Sequence, residues 1–271
     1  MTNLSFKDVK PSDWYYEYVM NMTKAGLMKG YSDGTFRPDR TISRAESAAV
    51  MSRLLDSLPG IRMAKSVMPQ ITIIHHSIPG VGVGRGSGVW VAPWKVVTNA
   101  HVVAYEGETH NVGVFGYAGD EVSVEDGHGF SPMEPMTATV EAIDHSKDLA
   151  LLNVQKPAYG DAITINTVTF GSGVNRAERV WAIGIPLGMP WDVSDGIIRH
   201  TTRRINYWEQ DQVVYAMTVP INPGNSGGGL YNVWGEYVGV PSAGAMGYNS
   251  LTFAVPIYQV KSFLREAGYE A

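Results

Sequence analysis

The chain has 271 residues, 44% of them apolar, enough for one large β domain with a smaller companion and a sizeable core. A formal net charge of −5, with no block of like charge, argues against nucleic acid as the main partner. The absence of cysteine excludes disulfides and thiolate metal sites, and no apolar run is long enough to span a bilayer. Met1-Thr2-Asn3-Leu4-Ser5-Phe6 lacks the basic start and apolar core of a signal peptide, so the expectation is a leader already removed or another route of export.

Residues 1–58 read as a small helical domain. Apolar residues recur at helical spacing from Trp14 to Met22, and Gly26 and Gly30 punctuate the end of that run. Ser43 followed three positions later by Glu46 forms a capping box, and Ala48, Ala49, Met51, Leu54 and Leu55 then form an apolar stripe. Between the two helices lies the turn-rich loop Gly30-Tyr31-Ser32-Asp33-Gly34-Thr35-Phe36-Arg37-Pro38. Together, Phe6-Lys7-Asp8-Val9, Trp14, this loop and Ile42-Ser43-Arg44-Ala45-Glu46 resemble one S-layer homology (SLH) repeat. The resemblance implies binding to secondary cell-wall polysaccharide, often through a pyruvylated sugar. Arg44 would then be the anion contact, with Asp8, Trp14 and Gly30 near it, since a guanidinium fork suits a carboxylate. The family usually carries three such repeats in a spindle, and one is found in this sequence. Asp33-Gly34 lacks the further acids that a calcium loop needs.

Pro59-Gly60 marks a boundary, and residues 59–70 are expected to be a linker. From 71 to 271 the pattern becomes short apolar runs between Gly/Pro turns, which predicts a β barrel or sandwich rather than a dinucleotide-binding fold. Strands are predicted at Ile71–Ile74, Ser87–Ala92, Lys95–His101 and around Val112–Phe115. The run Pro79–Gly86 is expected to be a flexible glycine loop; with no Gly-Lys-Ser/Thr after it, it is not a phosphate loop. Residues 120–136 are acidic and loop-like. Neither Glu125, Asp126 and His128 nor the pair His75-His76 is expected to hold a metal, and no cofactor is expected. After Thr137–Val140, Asp148 enters the buried run Leu149-Ala150-Leu151-Leu152, with Asp144 as its rival for an acid role. Further strands are expected at Val180–Pro186, Gly196–Ile198, Val213–Met217, Tyr237–Val240 and Leu251–Pro256, with a closing helix from Ile257 to Leu264.

Asn222-Pro223-Gly224-Asn225-Ser226-Gly227-Gly228-Gly229 follows an apolar run. Alone, it could be a tight turn. A serine among glycines also suits acyl transfer, because its hydroxyl stands clear and neighbouring amides can point into one small space. Thr98-Asn99-Ala100-His101 and Asp148 supply an imidazole and a carboxylate upstream, in the order His, Asp, Ser that one class of nucleophile–base–acid sites uses.

Gly86-Ser87-Gly88-Val89, Thr98–Val103, Asp148–Leu152, Trp181–Gly188, Ile221–Gly228 and Phe253–Pro256 are similar to a chymotrypsin-fold serine peptidase of the HtrA/Deg branch, across residues 68–265. The resemblance implies a mainly β fold: two six-stranded antiparallel barrels, with the small helical SLH domain before them and a short helix after. His101 and Asp148 would come from the first barrel and Ser226 from the second. Ser226 would attack, His101 would move its proton, Asp148 would orient the ring, and the N–H groups of Gly224 and Ser226 would form the oxyanion hole.

Pro220, Ile221, Asn222, Pro241, Ser242 and Ala243 are expected to line the specificity pocket. Neither 215–225 nor 239–256 contains an acid, so cleavage is expected after small or medium apolar residues. Within the sequence no PDZ domain follows, and Met217-Thr218 and Gly229 depart from residues common in that family. HtrA-type peptidases are commonly trimers, so a homotrimer joining three single SLH repeats into one spindle is a further expectation. The expected place is the cell wall or S-layer, with a phage virion as the alternative. An inert or locked peptidase fold serving as a binding protein is the alternative function.

Overall fold

The computed structural model describes residues 5–57, 59–78, 82–105, 108–109, 111–115, 136–158, 164–185, 192–207, 210–244 and 251–270. The chain divides into two compact units, Met1–Arg62 and Met63–Ala271. Glu125, Asp126 and His128 lie outside the described residues, as do residues 186–191 and 245–250.

In the first unit, α1 spans Tyr16–Lys24 and α2 spans Arg44–Ser57. The capping box forms as its sequence dictates: Ser43 N–H donates to Glu46 Oε2 at 2.8 Å, and Glu46 N–H donates to Ser43 Oγ at 3.2 Å. These reciprocal bonds satisfy amides that have no partner inside a helix, a contribution of about 1 kcal/mol. The loop between the helices closes on itself, with Tyr31 N–H donating to Thr35 O at 2.8 Å and the Arg37 guanidinium paired to Asp33 at 2.7 Å. Asp8 accepts the N–H groups of Phe36 at 2.8 Å and Arg37 at 2.7 Å, and these donors hold its carboxyl below the usual carboxylate range.

Residues 59–70, expected to be a linker, instead form helix α3, Pro59–Val67, and a 3₁₀ turn, Met68–Gln70. Proline at the first helical position starts a helix, because its missing N–H had no partner to lose. Met63, Ala64 and Val67 then bury themselves in the core of the second unit.

That unit contains the strands β1 (Ile71–Ile78), β2 (Gly82–Ala92) and β3 (Lys95–Thr98), a single helical turn α4 (Ala100–Val103), and a small hairpin of β4 (Ala104–Tyr105) and β5 (Glu108–Thr109). Strands β6 (Asn111–Phe115), β7 (Met136–Asp144) and β8 (Leu149–Val154) complete a closed antiparallel barrel in the order β1-β2-β3-β8-β7-β6. The glycine run expected to be a flexible loop is strand from Gly82 onward, pairing with β1 in the register His76↔Gly84 and Ile74↔Gly86. Strands β9 (Arg179–Gly184), β10 (Asp192–Tyr207), β11 (Gln210–Met217), β12 (Gly229–Tyr231), β13 (Tyr237–Gly244) and β14 (Thr252–Pro256) close a second barrel in the order β10-β11-β14-β13-β12-β9. Helix α5, Ile257–Glu266, follows. The predicted architecture of two six-stranded barrels with few helices is therefore the observed one.

Strand β8 shows why its sequence is apolar throughout. Ala150 and Leu152 fill the first barrel, whereas Leu149 and Leu151 face a shared core. That shared core also takes Ile183, Tyr231 and Val240 from the second barrel and Ile257 and Phe263 from α5. A strand buried on both faces loses the alternation of a half-exposed one. The shared core fixes the two barrels against each other, and the functional side chains lie along that seam.

Candidate active site

His101 sits on α4, just after β3. Asp148 sits immediately before β8, which pairs with β3 through Thr98↔Ala150. The pairing sets the two residues side by side: His101 Nδ1 lies 2.9 Å from Asp148 Oδ2 and 3.0 Å from Oδ1. The backbone N–H of His101 also donates to Asp148 Oδ1 at 3.1 Å. A carboxylate accepts but does not donate, so the proton between them is the one on Nδ1, which leaves Nε2 as the basic nitrogen of the neutral ring. Asp148 is 1% exposed, while His101 retains 19% of its side-chain exposure. Asn99 Nδ2 donates to the Asp148 carbonyl at 2.8 Å. Asp148 adopts φ +54°, a left-handed conformation rarely held by non-glycine residues, with a cost of order 1–3 kcal/mol borne by the surrounding contacts. Asp144, the rival acid, accepts from Ser146 Oγ at 2.6 Å and from Lys147 N–H at 3.0 Å and Nζ at 2.7 Å, so its carboxylate is engaged in its own turn.

Ser226 lies in the turn before β12. Its hydroxyl donates to the carbonyl of Ser242 at 3.0 Å. Ser242 Oγ in turn donates to Asp148 Oδ2 at 2.5 Å. Thus four residues form a chain of contacts along the seam: His101 touches Asp148, and Ser242 touches both Asp148 and Ser226. The sequence reading put Ser242 in the specificity pocket and did not foresee that its hydroxyl is directed at the acid. The pattern Val-Pro-Ser-Ala on a buried strand gave no sign of this.

The turn itself is tightly bonded. Asn225 N–H donates to Asn222 O, Gly227 N–H to Pro241 O and Gly228 N–H to Asn225 O, each at 3.0 Å. Among the described residues, no acceptor takes the N–H of Gly224 or of Ser226. Gly229 makes room for a neighbour, since a Cβ there would lie 2.2 Å from the Tyr231 ring. Of the expected pocket residues, Ile221 packs against the second barrel's interior, Pro220 O accepts from Ser194 Oγ at 2.8 Å, and Pro241 pairs with Ala254. Ala243 continues β13 opposite Phe253, and Asn222 is exposed.

The trypsin-like peptidase domain family matches this chain over residues 86–240, more than half of its length. The chain belongs to that family. The S-layer homology domain family matches residues 5–48, so an SLH domain precedes the peptidase. A probable periplasmic serine endoprotease of DegP-like type from Chlamydia pneumoniae is 31% identical over 178 residues, covering 64% of this chain and 32% of that protein. The mitochondrial serine protease HTRA2 of Drosophila virilis is 32% identical over 183 residues, covering 64% and 37%. The chain thus spans roughly a third of the length of these curated relatives. In fold, the peptidase is similar to the active form of the Rv3671c protease of M. tuberculosis, with a TM-score of 0.63 and 24% identity over 77% of this chain and 85% of that one.

The four residues expected to contact glycan in the SLH unit have the following surroundings. Asp8 is bonded into the loop, and Gly30 packs under Phe6, where a Cβ would lie 2.3 Å from the ring. Trp14 is 83% exposed and meets Tyr15 and Tyr18 edge-on. Arg44 begins α2, facing solvent. A pocket of about 240 Å³ opens on the unit, lined by Tyr31, Arg37, Arg40, Ile42, Glu46 and Arg53 among others. Among the described residues, no cluster of His, Asp and Glu could hold a metal ion, and no helix is long and apolar enough to cross a membrane.

Proposed function

We propose that this chain is a serine endopeptidase held at a bacterial cell surface through its SLH domain. The observation that carries the catalytic half is the bonding of His101 to Asp148 beside the Ser226 turn. Ser226 Oγ attacks the peptide carbonyl after a rotation about χ1 turns it from the Ser242 carbonyl to His101 Nε2. His101 takes the hydroxyl proton and later passes it to the leaving amine; Asp148 holds the ring's tautomer and favours its cation. The untaken N–H groups of Gly224 and Ser226 suit an oxyanion hole, each donor worth roughly 3–4 kcal/mol in the transition state. The described residues of 215–225 and 239–256 include no acid, so a basic side chain before the cut bond finds no partner there and small or medium apolar residues are preferred.

A fluorophosphonate probe together with paired fluorogenic peptides tests this reading. Wild-type chain is expected to be labelled and Ser226→Ala not, and the apolar peptide is expected to be cut faster than its arginine counterpart. Equal labelling of both proteins would overturn the catalytic assignment; faster cutting of the basic peptide would overturn the specificity.

The SLH match supports a cell-wall polysaccharide as the second partner, and the guanidinium groups of Arg37, Arg40 and Arg44 suit an anionic one. Trp14, Tyr18, Met51 and Leu54, all exposed on this single repeat, fit self-association into a trimer. Light scattering at micromolar concentration is expected to give three times the chain mass; a monomeric mass would remove the trimer.

A further inference from the structure

Ser87 lies within β2, and its side chain is fully buried. It comes from the first barrel, yet its bonds cross the seam into the second. Its hydroxyl donates to the Gly224 carbonyl at 2.7 Å and accepts the Ile185 N–H at 3.0 Å. Its backbone N–H donates to the Ser226 carbonyl at 2.9 Å, and its own carbonyl accepts from Thr98 Oγ1 at 2.7 Å. One residue therefore holds the carbonyls on both sides of Asn225. The surroundings are close: a Cβ on Gly184 would come within 3.0 Å of Ser87 Oγ, and one on Gly228 within 3.2 Å of Ser87 Cβ.

We propose that Ser87 is a positioning residue for acyl transfer, its hydroxyl fixing the peptide that separates the Gly224 and Ser226 N–H groups; this rests on the peptidase reading above. Gly224 stands at φ +105° with no side chain to restrain it, so rotation about its backbone bonds is nearly unopposed by local sterics. What holds the Gly224–Asn225 peptide is the bond from Ser87 on one end and the Asn225 N–H bond to Asn222 O on the other. Donors aimed at developing charge act only if they are already oriented when the charge appears. Without the hydroxyl, the Gly224 carbonyl and the Ile185 N–H lose their buried partner, and the peptide is free to turn and carry the adjoining donors out of line. Ser87 is fully buried and offers substrate no contact, so the loss falls on the transition state rather than on ground-state binding.

Ser87→Ala, compared with wild type on an apolar fluorogenic peptide, is expected to lower kcat about 10- to 100-fold, with KM kept within about threefold and Tm lowered by several degrees while the protein still folds. A folded S87A protein with wild-type kcat, or one whose KM rises as much as its kcat falls, would overturn the role. Ser87→Cys keeps a donor, though a weaker one on a somewhat larger atom, and is expected to fall between the two; if S87A does not fold, a wild-type kcat in S87C overturns the proposal in its place. Fluorophosphonate labelling separates the two ideas. Wild-type chain that takes no label overturns the peptidase reading itself, whereas labelled wild type with undiminished S87A acylation overturns only the part given to Ser87.

Discussion

Asp148→Asn is expected to lower kcat by about four orders of magnitude while leaving the melting temperature within a few degrees of wild type. The carboxylate accepts from three donors: the Nδ1–H and backbone N–H of His101, and the Ser242 hydroxyl. An asparagine keeps the shape and one acceptor, so the strand entry and the backbone bond to His101 survive. Its amide nitrogen is a donor, however, and where it faces Nδ1 it forces that nitrogen to accept. The ring proton then moves to Nε2, which is the atom that must take the proton of Ser226. The substitution thus removes the base while sparing the fold, and KM is expected to change little because no substrate contact is lost. Asparagine also tolerates the left-handed conformation at φ +54°, so no strain is added. Steady-state kinetics with an apolar peptide, beside a thermal melt, check both halves. A loss of tenfold or less would mean that His101 is not oriented by Asp148 during turnover.

The sequence made most of this arrangement legible because the physical constraints that shape the fold leave local marks. The unbroken apolar run Leu149–Leu152 reflects burial against both a barrel interior and the core between barrels. Ser43 and Glu46 predict their own helix start, and both bonds are present. The glycines around Ser226 mark a turn that no larger residue could follow. Long-range contacts leave no such mark. Nothing beside Ser242 in sequence shows that its hydroxyl bonds an acid 94 residues away, and the Ser87–Gly224 bond spans 137 residues. Both serines sit on buried strands, where a small polar residue reads simply as a tolerated core position.

One other expectation, the linker, differed from the structure for a physical reason. Pro59-Gly60 reads as a breaker, but proline breaks a helix only from inside it; at the first position it serves as a start, and Met63, Ala64 and Val67 supply the buried face. In the SLH unit, Asp8 and Gly30 also carry part of the loop's own structure. Asp8 receives two backbone N–H groups, and Phe6 occupies the space a side chain at residue 30 would need. Residues that a motif fixes for folding and residues it fixes for ligand look alike in a single sequence. The side chains of Tyr31, Arg37 and Arg40 lie in the same motif and line a pocket, which the sequence pattern did not show.

The seam between the barrels also sets the second large effect: Gly227→Ala is expected to destabilise the protein by at least about 4 kcal/mol, or to prevent folding altogether. Gly227 follows Ser226 and stands at φ +83°, where an L side chain is already strained. A Cβ there would lie 2.1 Å from Thr98 Oγ1 and 2.2 Å from the Ser87 carbonyl oxygen, both on the first barrel. Neither neighbour can yield cheaply, since the oxygen is backbone within β2 and the Thr98 hydroxyl is bonded to that same oxygen. Either the turn backs away, taking Ser226 with it, or the barrels separate and expose their shared core. Gly268→Ala gives the comparison, because Gly268 also has positive φ, at +89°, but a Cβ there meets nothing within 4 Å. It is expected to cost only the left-handed strain, about 1–2 kcal/mol, or a few degrees in Tm. Thermal melts of the two variants therefore separate backbone strain from steric conflict. If G227A melts alongside G268A, the seam is looser than these distances require; if it folds at a much lower Tm and takes no fluorophosphonate, the same close packing that joins the barrels is what holds the nucleophile in place.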